Sequence, residues 1–190
     1  MTTILYLHGF ISSPASRKAV MLGDYLRSQA PDVEYLVPAL HHRPAQAIPQ
    51  VAQLCRGKDP ATLVVVGSSL GGFYATVVAE RIGCRAVALN PAVHPHRHFE
   101  RYLGPQQNLY TGERFDFTTD HLAQLATLDL PRLARPERFW LLVETGDEVL
   151  DYRAAVDYYA GAEQSVIAGG DHSFTRFPEF VDAIIERSLG

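Results

Sequence analysis

Cysteine is scarce in this sequence: 190 residues contain only Cys55 and Cys84. Two cysteines cannot make a disulfide framework. Neither has a His at a motif spacing, so both read as buried apolar residues in a reducing compartment, not as a catalytic thiol. Long hydrophobic runs are also missing, and no stretch approaches the length of a bilayer span. The start, Met1-Thr2-Thr3 running into Ile4-Leu5-Tyr6-Leu7, has neither the basic region nor the apolar length of a signal peptide. The expectation is a cytoplasmic protein without a membrane span. Charge of one sign is lacking too. The net charge is −4, and Lys and Arg gather on no readable helix face, so a nucleic-acid partner is not expected. Internal repeats and low-complexity segments are absent.

What is present fits an ordinary globular chain. Hydrophobic residues make up 47% and charged residues 20%, which excludes disorder over most of the length. The length suits one domain, 1–190, able to bury a core without disulfides or metal. Short apolar runs recur at Ile4–Leu7, Val33–Val37, Leu63–Val66, Ala86–Leu89, Phe139–Val143 and Gln164–Ala168. Most are rich in Val, Ile and Leu, with little polar alternation. That is the pattern of parallel strands covered on both faces. Helical spacing marks Ser16–Ser28, Leu70–Arg81, Tyr152–Tyr159 and Pro178–Leu189. Strand–helix alternation of this kind predicts an α/β fold with a mostly parallel sheet flanked by helices. The stretch 92–136 breaks the alternation. No convincing strand is read there, only a helix over Asp120–Leu128, and the expected role is a cap-like insertion.

The sharpest motif is Gly67-Ser68-Ser69-Leu70-Gly71, a G-x-S-x-G pattern with an apolar strand before it and an apolar helix after it. That context is the one required of a nucleophile elbow. The chain reverses from strand to helix within a few residues, and side chains two positions either side of the serine would collide. Glycines remove the collision. Ser69 then stands at a helix N-terminus, where the dipole and free N–H groups favour negative charge. Serine is a weak nucleophile and needs a base held by a carboxylate. In the chain order of hydrolases with this elbow, the acid follows the serine and the His comes last.

His172, in Gly169-Gly170-Asp171-His172, follows the last expected strand and is the expected base. Asp147 follows Gly146 after the preceding strand and is the expected acid, with Glu144, Glu148 and Asp151 as rivals. Asp171 is too close in sequence to aim at His172. One oxyanion donor should be the N–H of Leu70. The other, that of Phe10, should come from the loop His8-Gly9-Phe10. His8 either braces that loop or is a satisfied core histidine. His94, His96 and His98 read as solvated, and no metal site is expected from their spacing. Phe99, Tyr102, Tyr110, Phe115 and Phe117 read equally as an acyl pocket or as a small core of the insertion.

These segments, together with Gly146-Asp147-Glu148-Val149-Leu150, resemble the small bacterial YqiA-type esterases of the α/β-hydrolase superfamily, over nearly the whole chain. The resemblance implies a compact α/β-hydrolase fold lacking the first strands of larger members. It also implies esterase activity on small-molecule acyl esters or thioesters, without cofactor. Three other functions remain open with the same three residues: thioesterase, acyltransferase or peptidase. A non-catalytic binding protein on the same fold is the reading of a different class.

Overall fold

A computed structural model describes residues 1–189; Gly190, the last residue of the expected domain, lies outside them. Six strands form one wholly parallel sheet: β1 (Thr3–Leu7), β2 (Glu34–Leu36), β3 (Leu63–Ser68), β4 (Arg85–Leu89), β7 (Phe139–Glu144) and β8 (Glu163–Ile167). Their order is β2-β1-β3-β4-β7-β8. Each of the six expected apolar runs overlaps one of these strands, with Val33, Val37 and Ala168 falling just outside. Both faces of the sheet are covered, as unalternated apolar strands require. On one face Leu5, Leu7, Val65, Ala88 and Leu141 pack under α2 (Pro44–Cys55), α3 (Leu70–Ile82) and α5 (Tyr152–Tyr158). On the other, Ile4, Tyr6, Val66, Leu89 and Leu142 pack against α1 (Arg17–Gln29) and α6 (Val181–Leu189). Cys55 and Cys84 are both free and buried in the first of these layers, and burial pushes both thiols up, Cys84 to about 12.

Two elements depart from expectation. Helix α2 fills the segment between β2 and β3, where prolines disguise it. Pro44 opens the helix at no cost, but Pro49 lies inside it. Burial of Ala47, Ile48, Val51 and Cys55 offsets the lost backbone bond. The second correction concerns 92–136, where no strand was expected. A short antiparallel hairpin forms there from β5 (Gly104–Gln107) and β6 (Arg114–Phe117), followed by α4 (Thr119–Leu128). The strands are four residues each and mostly polar, so no apolar run announces them. Their support is non-local. The Phe10 ring packs among Phe99, Tyr102, Phe115 and Phe117, with centroids 5.2–6.1 Å away. Asn108 fixes the hairpin turn by accepting from the N–H groups of Tyr110 and Thr111 and donating to Ser12 O. Among the described residues no helix is long and apolar enough to cross a membrane.

Candidate functional site

Strand order reverses between β1 and β3, the place where open α/β sheets present ligands at their carboxyl ends. The loops after β1, β3, β7 and β8 carry Gly9, Ser69, Asp147 and His172 to that end. Ser69 caps α3 with φ 56° and ψ −122°, a conformation strained for any residue with a Cβ. The crowding that holds it there is severe. A Cβ on Gly67 would lie 2.1 Å from Gly71 O, and one on Gly71 would lie 2.0 Å from Leu7 O. The backbone of β1 thus presses against the first turn of α3.

The structure brings Ser69, His172 and Asp147 into one line. Ser69 Oγ lies 3.0 Å from His172 Nε2, and His172 Nδ1 lies 2.8 Å from Asp147 Oδ2. The Asp147 side chain is only 2% exposed, and its Oδ1 accepts the N–H groups of Val149 and Leu150. Those bonds fix the carboxylate so that Oδ2 faces the imidazole. With Nδ1–H donated to Asp147, Nε2 carries the free lone pair that Ser69 can use. Gly9 sits close by, since a Cβ placed on it would be 3.7 Å from Ser69 Oγ. Among the described residues neither the Phe10 N–H nor the Leu70 N–H has a protein acceptor. Beside Ser69 and His172 opens a cleft of about 480 Å³, with Leu109 and Tyr110 of the hairpin turn on its wall.

The rival carboxylates have other partners. Glu144 is fully buried beneath the His172 loop. It accepts the N–H of Asp171 at 2.8 Å and that of Arg176 at 3.1 Å, one on each side of His172. Asn90, also buried, donates from Nδ2 to Asp171 O and accepts the Glu144 N–H. Glu148 is exposed and accepts the His172 N–H. Asp151 caps α5. Glu144 and Asn90 therefore hold the loop that carries the imidazole, a role sequence reasoning missed because it depends on which way the last residue of β7 points.

Several of the other histidines make structural contacts. His8 is 4% exposed; its Nδ1 bonds Gly9 O and its Nε2 accepts the Leu40 N–H, so it braces the β1 loop from within the core. His121 accepts the Thr118 N–H at the start of α4, and its Nε2 lies 3.1 Å from His42 Nδ1. The expectation of three solvated histidines in the insertion needs correction. His94 and His96 are about one-fifth exposed and turn toward Asp129, His94 at 2.8 Å; only His98 is exposed. Among the described residues no group of three or more His, Cys, Asp or Glu gathers to hold a metal ion. Of the five aromatics, Phe99, Tyr102, Phe115 and Phe117 pack with Phe10, and Tyr110 alone joins the cleft.

Burial lowers the pKa of His8, His42 and His121 from the usual 6.5; His8 is held up slightly by Gly9, whereas neighbouring charge on His41 or Arg43 lowers the other two further. Each is neutral in the fold but gains a proton in the unfolded chain once the pH falls below about 6.5. Their contribution to stability is complete above that pH and is lost as the pH drops through their lowered folded values. These histidines should therefore make thermal unfolding midpoints fall between pH 6.5 and 5. A midpoint unchanged at pH 5 would contradict this assignment.

The parallel sheet, covered on both faces and carrying an elbow serine at its carboxyl end, defines the α/β-hydrolase fold. Solved structures of low identity share it. The mouse alpha/beta hydrolase domain-containing protein 10 superposes with a TM-score of 0.74 at 15% identity, over 97% of this chain and 88% of that one. Est1E from Butyrivibrio proteoclasticus gives 0.72 at 18%, over 99% and 87%. Within this fold the chain belongs to UPF0227, described as an uncharacterised protein family, whose model matches residues 3–188. It is 25% identical to a UPF0227 protein of Pectobacterium atrosepticum over 149 residues, 78% of this chain and 77% of that one. A UPF0227 protein of Yersinia enterocolitica matches at 29% over 93 residues, 48% of this chain and 52% of its own length.

Proposed function

We propose that this protein is a serine hydrolase that cleaves carboxylic acyl esters or thioesters through an acyl-enzyme. The observation that carries the reading is the line from Ser69 Oγ to His172 Nε2 at 3.0 Å and from His172 Nδ1 to Asp147 Oδ2 at 2.8 Å. A binding module has no need of that line. His172 takes the Ser69 proton as Oγ attacks the acyl carbonyl, and Asp147 stabilises the imidazolium and fixes its tautomer. The unengaged N–H groups of Phe10 and Leu70 receive the oxyanion. His172 then gives its proton to the departing alkoxide or thiolate. A water deprotonated by the same imidazole attacks the acyl-enzyme, and His172 returns that proton to Ser69 Oγ as the acyl–Oγ bond breaks and the acid leaves. The acyl-enzyme also appears in transfer to other acceptors and in peptide cleavage, so relative kcat/KM on esters, thioesters and peptides ranks these substrates.

Residues 92–136 act in this reading as a cap on a single domain. Leu109 and Tyr110 at the hairpin tip border the cleft, and Leu109 N–H bonds Ile11 O, tying the tip to the loop that carries Phe10. The test is steady turnover of p-nitrophenyl butyrate by the wild-type protein, with loss of that turnover in Ser69→Ala. A Ser69→Ala protein that keeps a tenth or more of wild-type kcat would end the reading.

A further inference from the structure

The cleft beside Ser69 has a charge character at odds with the whole chain. The protein carries a net charge of −4. Yet among the described residues that line the cleft, the Lys, Arg, Asp and Glu side chains are two cations, Arg17 and Lys18, and no carboxylate. Both stand in the first turn of α1, whose start faces the same cleft. Among the described residues Arg17 has no carboxylate partner, a condition it shares with Arg56, Arg81 and Arg114 among others, but it alone of the Arg side chains borders this cleft. Lys18 Nζ donates to Ser173 O at 2.6 Å, next to His172. Burial lowers Lys18 to about 8. The negative charges of Asp171 and Glu144 oppose that fall, and Arg17 adds to it. The two cations are thus close enough to repel, and of the carboxylates that answer Lys18, Asp171 lies in the His172 loop and Glu144 beneath it, neither of them lining the cleft.

The helix start adds unfilled hydrogen-bond capacity. Ser16 is the N-cap of α1 but its side chain makes no capping bond. It is 9% exposed and borders the cleft, but its Oγ is itself sealed from solvent and has no hydrogen-bond partner. Among the described residues the N–H groups of Arg17, Lys18 and Ala19 have no protein acceptor. A 13-residue helix presents a positive dipole end there. Unfilled backbone donors and a guanidinium on the cleft wall together are what an anionic oxygen group requires.

Resting on the serine-hydrolase reading, we infer that the substrate is an anionic ester, with a carboxylate or phosphate-type group received by Arg17 and Lys18 at the start of α1 while its acyl carbonyl meets Ser69. The anion belongs either to the acyl half or to the leaving half of the substrate. Its capture places the scissile carbonyl, so the benefit appears in kcat/KM for charged esters and not for neutral ones.

The experiment compares three esters: neutral p-nitrophenyl butyrate, p-nitrophenyl hydrogen glutarate with a carboxylate on the acyl half, and 3-carboxy-4-nitrophenyl butyrate with one on the leaving half. The readout is the ratio of kcat/KM, charged over neutral, in wild type, Arg17→Lys, Arg17→Ala and Arg17→Glu. Arg17 is exposed, so these variants are expected to fold, which circular dichroism verifies. The ratio should fall about tenfold in Arg17→Ala, further in Arg17→Glu, and least in Arg17→Lys. A fall confined to the glutarate ester assigns the anion to the acyl half; one confined to the carboxynitrophenyl ester assigns it to the leaving half. Ratios unchanged for both charged esters in Arg17→Ala and Arg17→Glu would overturn the anionic subsite alone. No turnover of any of the three by the wild-type protein would overturn the hydrolase reading and this inference with it.

Discussion

Ser69→Ala should hydrolyse p-nitrophenyl butyrate about 10⁴- to 10⁶-fold more slowly than wild type, with an unchanged thermal midpoint. The size follows from what one atom does in the proposed reaction. Without Oγ there is no acyl-enzyme, and the imidazole can only assist direct attack by water. What survives is the contribution of the oxyanion donors and of substrate binding, which for residues that act as a unit is a small remainder. The fold should not notice the loss. Ser69 Oγ bonds only His172, and the backbone bonds that hold the elbow, from Ser69 N–H to Leu89 O and from the Gly72 N–H to Ser69 O, remain. His172→Ala should cost a similar factor in rate, and the double variant little more than either alone. Additive losses would mean that the two side chains work independently, contrary to a proton passing between them.

Gly71→Ala should rank with Gly67→Ala as the most destabilising single methyl additions in the elbow. A Cβ on Gly71 would meet Leu7 O at 2.0 Å and His8 O at 2.6 Å. Both are backbone atoms of β1 and the loop that follows it, in the middle of the sheet, so no rotamer change relieves the clash. Either α3 moves off the sheet or β1 shifts in register with its two neighbours. Overpacking that side chains can absorb costs about 1–3 kcal/mol, and this site lies beyond that range. A loss of more than about 4 kcal/mol corresponds to a midpoint lowered by about 8–16 °C for a chain of this size. Gly57→Ala provides the contrast. Gly57 has a positive φ of 76° but open space around it, so only the backbone preference is lost and the cost should stay near 1 kcal/mol. Equal midpoints for the two variants would contradict the crowding argument. Activity of Gly71→Ala should fall even in the fraction that folds, because displacing α3 moves the Leu70 N–H and Ser69 together.

The same crowding explains why so much was legible in the sequence. Where steric demand is local, it leaves a local trace: Gly67 and Gly71 flank Ser69 because a Cβ would strike backbone on either side. The four inner strands, β1, β3, β4 and β7, were legible because burial on both faces leaves nearly continuous apolar runs, whereas the edge strands β2 and β8 are partly exposed and mix in polar residues. Helix α2 was not, since Pro49 breaks the local pattern and tertiary burial of Ile48 and Val51 restores it. The hairpin was hidden for a related reason. Gly104-Pro105-Gln106-Gln107 has no strand character of its own and depends on aromatic packing around Phe10, nearly a hundred residues earlier in the chain. Among the carboxylates, the sequence favours Asp147 but cannot show that Glu144, three residues earlier, is committed to the Asp171 and Arg176 N–H groups. Arg17 and Lys18 read from sequence as ordinary first-turn charges. Their meeting with Ser69 in one cleft depends on how α1 lies beside the loop after β8.

The most direct test of the central claim is covalent labelling of the folded protein with a fluorophosphonate, followed by peptide mapping of the adduct. An activated serine displaces fluoride and keeps the phosphonyl group, whether or not the natural substrate is known. The account predicts a single adduct on Ser69, absent from Ser69→Ala and formed at least about 100-fold more slowly in His172→Gln. A folded wild-type protein that stays unlabelled, or that carries the adduct on Ser68 or any other serine, would contradict it.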